Sequence, residues 1–98
     1  MLSLTRSFAN AYAGAGIRVN AICTGIIDTE DNERYLREVA ASRGTTVEAV
    51  SAARFAMVPM GHAGSPADCA CTVRYLLSDD AGFVTGQALN VTGGFHNY

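Results

Sequence analysis

The stretch NAICTGIIDTE, residues 20–30, sets one glycine between an apolar run and a polar one. Asn20 to Cys23 read as the end of a strand, and Ile26 to Glu30 as a loop leaving it. An open α/β sheet binds its ligands beyond the carboxyl ends of its strands. A glycine there lets the backbone approach a flat ligand closely, and free loop amides supply donors at fixed positions. Gly25 and Thr29 are therefore candidates for a binding site. A plainer role is open to both: Gly25 as the end of a strand and Thr29 as the cap of the next helix.

Other chemically capable residues form weaker patterns. Cys69 and Cys71 stand about 200° apart on a helix and cannot face one metal ion, even with His62 as a third ligand. Gly14-Ala15-Gly16 has the glycine spacing of a dinucleotide motif but precedes a strand instead of following one, so it reads as a helix stop. His62 and His96 read as loop residues. Tyr12, Tyr35, Tyr75 and Tyr98 have no lysine four residues on, and the sequence contains no lysine at all.

The elements that must position these residues alternate between helix and strand. Met1, Leu4, Phe8, Ala11 and Tyr12 recur at helical spacing until Gly14 and Gly16. No capping residue precedes that helix, which suggests a chain that starts inside an element. Ile17, Val19 and Ile22 mark a strand over residues 17–23 whose tail is apolar on both faces, the habit of a parallel sheet covered on both sides. Residues 31–58 show two helical patterns, one through Tyr35, Leu36 and Val39, the other through Val47, Val50 and Ala53, with Thr45 and Glu48 as a capping box for the second. A better-defined helix follows, with Ser65 as N-cap, Pro66 in the first turn, Asp68 at the third position and an apolar face through Cys69, Val73, Leu76 and Leu77. GQALNV is a last short strand. Two strands separated by helices imply a right-handed parallel crossover. Two parallel strands leave both outer edges unpaired, so further strands are expected from elsewhere.

With 98 residues, 49% hydrophobic and 16% charged, the chain belongs with globular proteins and has room for one thin core. A net charge of −2 gives no reason to expect nucleic acid or an acidic membrane as partner. Arg6 interrupts the opening stretch before a signal-peptide core is complete, and no run approaches the ~20 apolar residues of a membrane span. The absence of acid before Asp28 would suit a transit peptide, but the amphipathic helix explains the same residues. Three cysteines, an odd count without a secretory signal, read as reduced thiols of a cytoplasmic protein.

GIRVNAICTGIIDT followed by PMGHAGSPADCACTVRYLLSDDAGFVTGQALNVTGGF resembles the C-terminal part of a short-chain dehydrogenase/reductase. The resemblance covers nearly the whole chain, and only residues 31–58 lack family landmarks. It implies an α/β fold, the C-terminal part of a Rossmann-type doubly wound parallel sheet with its last two strands and flanking helices. Residues 1–98 would be a C-terminal fragment of one NAD(P)-binding domain, with 31–58 as the substrate lid. The loop would hold the nicotinamide half of NAD or NADP. Thr24 stands where the family's turn has proline, Gly25 is the turn glycine, Ile27 offers backbone groups to the carboxamide, and Thr29 reaches the carboxamide or a nearby phosphate. Threonine in place of proline should loosen the turn.

The resemblance also implies what these residues do not carry. The family's glycine-rich phosphate turn, its serine and its tyrosine-x-x-x-lysine pair precede the matching segment. The complete enzyme would transfer hydride between nicotinamide and a small-molecule carbonyl or alcohol substrate, and this chain alone would be inactive. Arg34, Arg37, Arg43 and Arg54 lie in the lid segment, where they read as a solvated helix face or as contacts to an acidic substrate. Residues 66–78 and 87–91 would pack against their copies in a homo-oligomer, a dimer or tetramer. The rival reading is a non-catalytic association module built from the same elements.

Overall fold

A computed structural model describes residues 2–95. Met1, His96 and Tyr98 lie outside the described residues. Helix α1 (Leu2–Tyr12) ends in a turn of 3-10 helix over residues 13–15, closed by Gly16 in the left-handed region (φ 79°). The Gly14-Ala15-Gly16 run is thus a helix stop. Strand β1 (Ala21–Thr24) leads to α2 (Glu30–Arg43) and α3 (Val47–Phe55), then α4 (Pro66–Leu77), a second 3-10 turn over residues 79–81, and β2 (Ala88–Val91). β1 and β2 pair in parallel, with Ala21 opposite Ala88 and Thr24 opposite Val91.

The ladder is shorter than the sequence pattern suggests, because residues 17–20 have another task. Arg18 Nη1 donates to Leu76 O at 2.7 Å and to Val84 O at 3.3 Å, while Nη2 donates to Ser78 O at 3.2 Å. A guanidinium thus satisfies carbonyls at the C-terminal end of α4, where orphaned acceptors and the helix dipole favour a cation. Asn20 Nδ2 donates to Val84 O at 2.9 Å, and its Oδ1 accepts from Gln87 N at 3.0 Å. Val19 N donates to Thr85 Oγ1 at 3.1 Å. One backbone bond, from Gly86 N to Val19 O at 2.8 Å, joins these side-chain bonds ahead of the regular pairing that begins at Ala21.

Two further expectations are corrected. The cap of α3 is Thr46, whose Oγ1 accepts from Ala49 N at 3.2 Å, and Glu48 forms no capping box with Thr45. The reason lies one helix earlier. α2 closes over Gly44 in the left-handed region (φ 65°), and Thr45 N donates back to Ala40 O at 2.9 Å. That closure uses the Thr45 amide and leaves Thr46 as the first residue with extended backbone. On α4 only Leu76 of the expected apolar face is buried, whereas Leu77 is 78% exposed. The two side chains point about 100° apart, and β1 covers one of them.

The core is thin. Leu36, Ala40 and Val50 form a cluster between α2 and α3, with Val39 and Val47 against it. Ala9, Ile26, Val58, Leu76 and Ala81 are buried elsewhere. The molecule measures 56 × 23 × 22 Å with a radius of gyration of 16.9 Å, against about 13 Å for a compact domain of this length. Leu4, Phe8 and Tyr12 on α1 are exposed, and Phe83 is fully so.

The start of α4 is fixed by a reciprocal pair of hydrogen bonds. Ser65 Oγ accepts from Asp68 N at 3.2 Å, Asp68 Oδ2 accepts from Ser65 N at 2.7 Å, and Pro66 occupies the first turn. The hydrogen bonds from the Ser65 backbone and hydroxyl hold the Asp68 carboxyl below its ordinary pKa, aided by nearby His62. Ser65→Ala should destabilise the full-length protein by about 1 kcal/mol in urea denaturation. Because the folded-state pKa of Asp68 lies below its unfolded value, its own contribution is complete above the ordinary carboxylate range. It disappears as pH falls through the folded-state value. In Asp68→Asn this part of the acid dependence should vanish.

Candidate functional site

The loop from Thr24 to Thr29 is built from the end of β1 outward. Thr24 is exposed and faces Val91 across the ladder. Gly25 N donates to Val91 O at 3.0 Å, carrying the ladder one residue past the strand. A Cβ on Gly25 would lie 2.9 Å from Thr92 Cα and 3.1 Å from Thr92 Cβ. Glycine is therefore required here by the neighbouring backbone alone, whatever ligand lies beyond it. Ile26 turns inward and is buried.

Ile27 forms an isolated parallel bridge with Gly64. Gly64 N donates to Ile26 O at 2.9 Å, and Asp28 N donates to Gly64 O at 2.8 Å. Since successive peptide groups of an extended chain face opposite edges, the N–H and C=O of Ile27 point away from Gly64. Neither has a hydrogen-bond partner among the described residues. One donor and one acceptor are thus presented side by side on an open loop.

Thr29 caps α2: its Oγ1 accepts from Asn32 N at 3.2 Å. The capping role is therefore real, and it does not consume the hydroxyl. A threonine hydroxyl has one donor and two acceptor lone pairs, and the cap uses one lone pair. The cap therefore leaves the O–H as a donor. Glu30, Asp31 and Glu33 in the first turn complement the helix dipole.

Three other segments converge on this loop. Gly93 adopts φ 61°, and a Cβ there would meet Val58 Cγ1 at 2.9 Å. Met60 N donates to Gly93 O at 3.1 Å. The turn after β2 is thereby tied to the segment returning from α3, and the latter leads into Gly64 and α4. A recess of about 360 Å³ opens beside the junction, among Ile26, Met60, His62, Gly64, Asp68 and Thr72.

The remaining sequence candidates fall apart from this site or into structural roles. No group of three or more His, Cys, Asp or Glu among the described residues is placed to hold a metal. Cys23 and Cys69 are half-buried, Cys71 is exposed, and all three are free thiols. Arg34 pairs with Asp31, and Arg37 lies 4.0 Å from Glu33. Arg54 Nη1 donates to Asn32 Oδ1 at 2.7 Å, and its guanidinium lies 4.9 Å from the centre of the Tyr35 ring. It links α3 to α2. Gly64 and Thr92 were not legible as site residues. The only signal for Gly64 was a glycine next to the Ser65 cap.

A family model described as enoyl-(acyl carrier protein) reductase matches residues 1–96. The chain belongs to the short-chain dehydrogenase/reductase family. This short-chain dehydrogenase/reductase chain is 42% identical over 94 residues to 2-(S)-hydroxypropyl-CoM dehydrogenase 3 of Xanthobacter autotrophicus, a match covering 96% of the chain and 35% of that protein. Its fold superposes on a short chain dehydrogenase family protein from Francisella tularensis with a TM-score of 0.92 at 29% identity, over 96% of this chain and 39% of that one. An actinorhodin polyketide ketoreductase variant with NADPH gives a TM-score of 0.89 at 33% identity, over 99% and 37%. The chain thus spans less than two-fifths of the length of these relatives.

The close approach at Gly25 separates a backbone requirement from a general glycine preference. Gly25→Ala should lower stability by about 2 kcal/mol, since its methyl meets backbone atoms that cannot swing aside. Gly14→Ala, with nothing within 4 Å of the new methyl, should be neutral or stabilising by up to about 1 kcal/mol. Urea midpoints of the two variants check the contrast.

Proposed function

We propose that residues 24–29 form the nicotinamide-side wall of an NAD(P)-dependent oxidoreductase acting between a carbonyl and an alcohol. The observation that carries this reading is the paired donor and acceptor of Ile27 on an open strand end. A carboxamide carries the complementary pair, an NH₂ donor and a carbonyl acceptor. Gly25 keeps the wall flat, and the Thr29 hydroxyl supplies a further donor to the carboxamide or a neighbouring phosphate. When bound, NAD or NADP supplies or accepts the hydride. The residues of this chain orient the ring, and α2 and α3 with the segment up to residue 58 cover the substrate.

Proton exchange with the substrate oxygen falls to residues outside 1–98, because none of the four tyrosines has a lysine near it in sequence. Exposed Val73, Tyr75 and Leu77 on α4 favour an oligomeric contact through residues 66–78 and 87–91. The free thiol of exposed Cys71 favours a reducing, cytoplasmic setting. No helix among the described residues is long and apolar enough to cross a membrane.

The coding DNA ahead of Met1 is the first test. An in-frame tyrosine-x-x-x-lysine there supports an oxidoreductase, and a stop codon there turns the reading toward the association module. In the full-length protein, Thr29→Val should weaken NADH or NADPH binding by about 0.5–1.5 kcal/mol, the net worth of one hydrogen bond. Thr29→Ser, which keeps hydroxyl and cap, should bind normally. Fluorescence titration measures both, and equal affinity of Thr29→Val and parent would leave Thr29 a capping residue only.

A further inference from the structure

We infer that Gly64 is a positioning residue for the nicotinamide ring, acting through the backbone of Ile27. The inference rests on the reading of residues 24–29 as the nicotinamide wall. Beyond the bond from Gly25 N to Val91 O, the loop leaves the β1–β2 ladder. Before the cap of α2, the backbone bonds that fix it among the described residues are the two made with Gly64. They bracket Ile27 and thereby set which edge its own N–H and C=O face. Gly64 immediately precedes Ser65, whose capping box with Asp68 makes the start of α4 rigid. The orientation of the Ile27 peptide groups is consequently referred to α4 rather than to β1.

The need for glycine at this position is specific. Gly64 is outside the left-handed region, so its backbone accepts alanine. A Cβ there would stand 3.0 Å from Ile27 Cδ1, while its next neighbour, Asp68 Oδ2, lies at an ordinary 3.6 Å. The added methyl therefore presses on one side chain only, that of the residue whose backbone meets the carboxamide. Ile27 Cδ1 must give by a few tenths of an ångström, and the part of that shift passed to the Ile27 backbone turns its donor and acceptor together. Removing Cδ1 removes the conflict.

Calorimetric titration of the full-length protein with NADH and NADPH, and with ADP-ribose and its 2′-phosphate, tests this. Gly64→Ala should weaken the nicotinamide cofactor about threefold to tenfold, the worth of one misaligned hydrogen bond. ADP-ribose ligands, which lack the ring, should bind within about twofold of the parent, which also shows that the variant is folded. Gly64→Ala combined with Ile27→Val should recover the affinity of Ile27→Val alone. An unchanged Gly64→Ala, equal losses for both ligand classes, or no recovery in the double variant would overturn the role of Gly64 while leaving the wall in place. An unmodified protein that binds the cofactors no better than their ring-less counterparts would overturn the wall itself, and this inference with it.

Discussion

A parallel pair of four-residue strands has little to hold it. Its hydrogen bonds are few and slanted, and isolated parallel pairs are weaker than antiparallel ones. In this chain the pair is held at both ends by something other than the ladder. At one end Arg18 and Asn20 bind the carbonyls of residues 76, 78 and 84 and the amide of Gln87. At the other, Gly25 lies so close to Thr92 that no side chain fits between them. The register of β1 against β2, the angle of α4 and the position of the loop at Gly25 all follow from these two anchors. A slip of one residue would break the Asn20 pair and bring Thr24 or Ile26, each with a Cβ, to the place beside Thr92 that only a glycine fits.

The anchors leave α2 and α3 largely on their own. These helices share a small apolar cluster and the Arg54 link to Asn32 and Tyr35, and together they form a unit distinct from the sheet. They connect to the body through two glycine-bearing segments, 24–29 and 58–64, which meet at the Ile27–Gly64 bridge. A helix pair mounted in this way is coupled to the loop at 24–29, since the residue that caps α2 and the residue bridged to Gly64 are two apart. Thr29 illustrates the economy of the arrangement. One lone pair ends a helix, and the cap leaves the hydroxyl proton unused.

The exposed apolar residues have the same origin as the elongated shape. Leu4, Phe8 and Tyr12 on α1, with Phe83 and Leu77, are surfaces of a kind that folded domains cover. The chain covers 35–39% of the proteins it superposes on or aligns with.

The helices, the parallel pair and the Ser65–Asp68 cap were all legible in the sequence, because each rests on local spacing: a 3.6-residue period, β-branched runs, or a serine three residues before an acid. Gly25 and Thr29 were legible as candidates for the same reason, with a second, structural role left open for each. The structure shows both structural roles. Contacts between distant segments were not legible. That Thr46 and not Thr45 caps α3 depends on how α2 closes over Gly44, and the burial of Leu76 over Leu77 depends on where β1 lies. Arg18 became an anchor only because the fold brings the end of α4 to it. Gly64 carried no signal beyond being a glycine next to the Ser65 cap, since its partner is 37 residues away and local pattern contains no term for a contact at that separation. Residue spacing determined which elements form and where the 24–29 loop leaves the sheet; the long-range backbone bridge decided which edge of that loop faces outward, because only tertiary packing could orient a peptide group that no neighbour in sequence constrains.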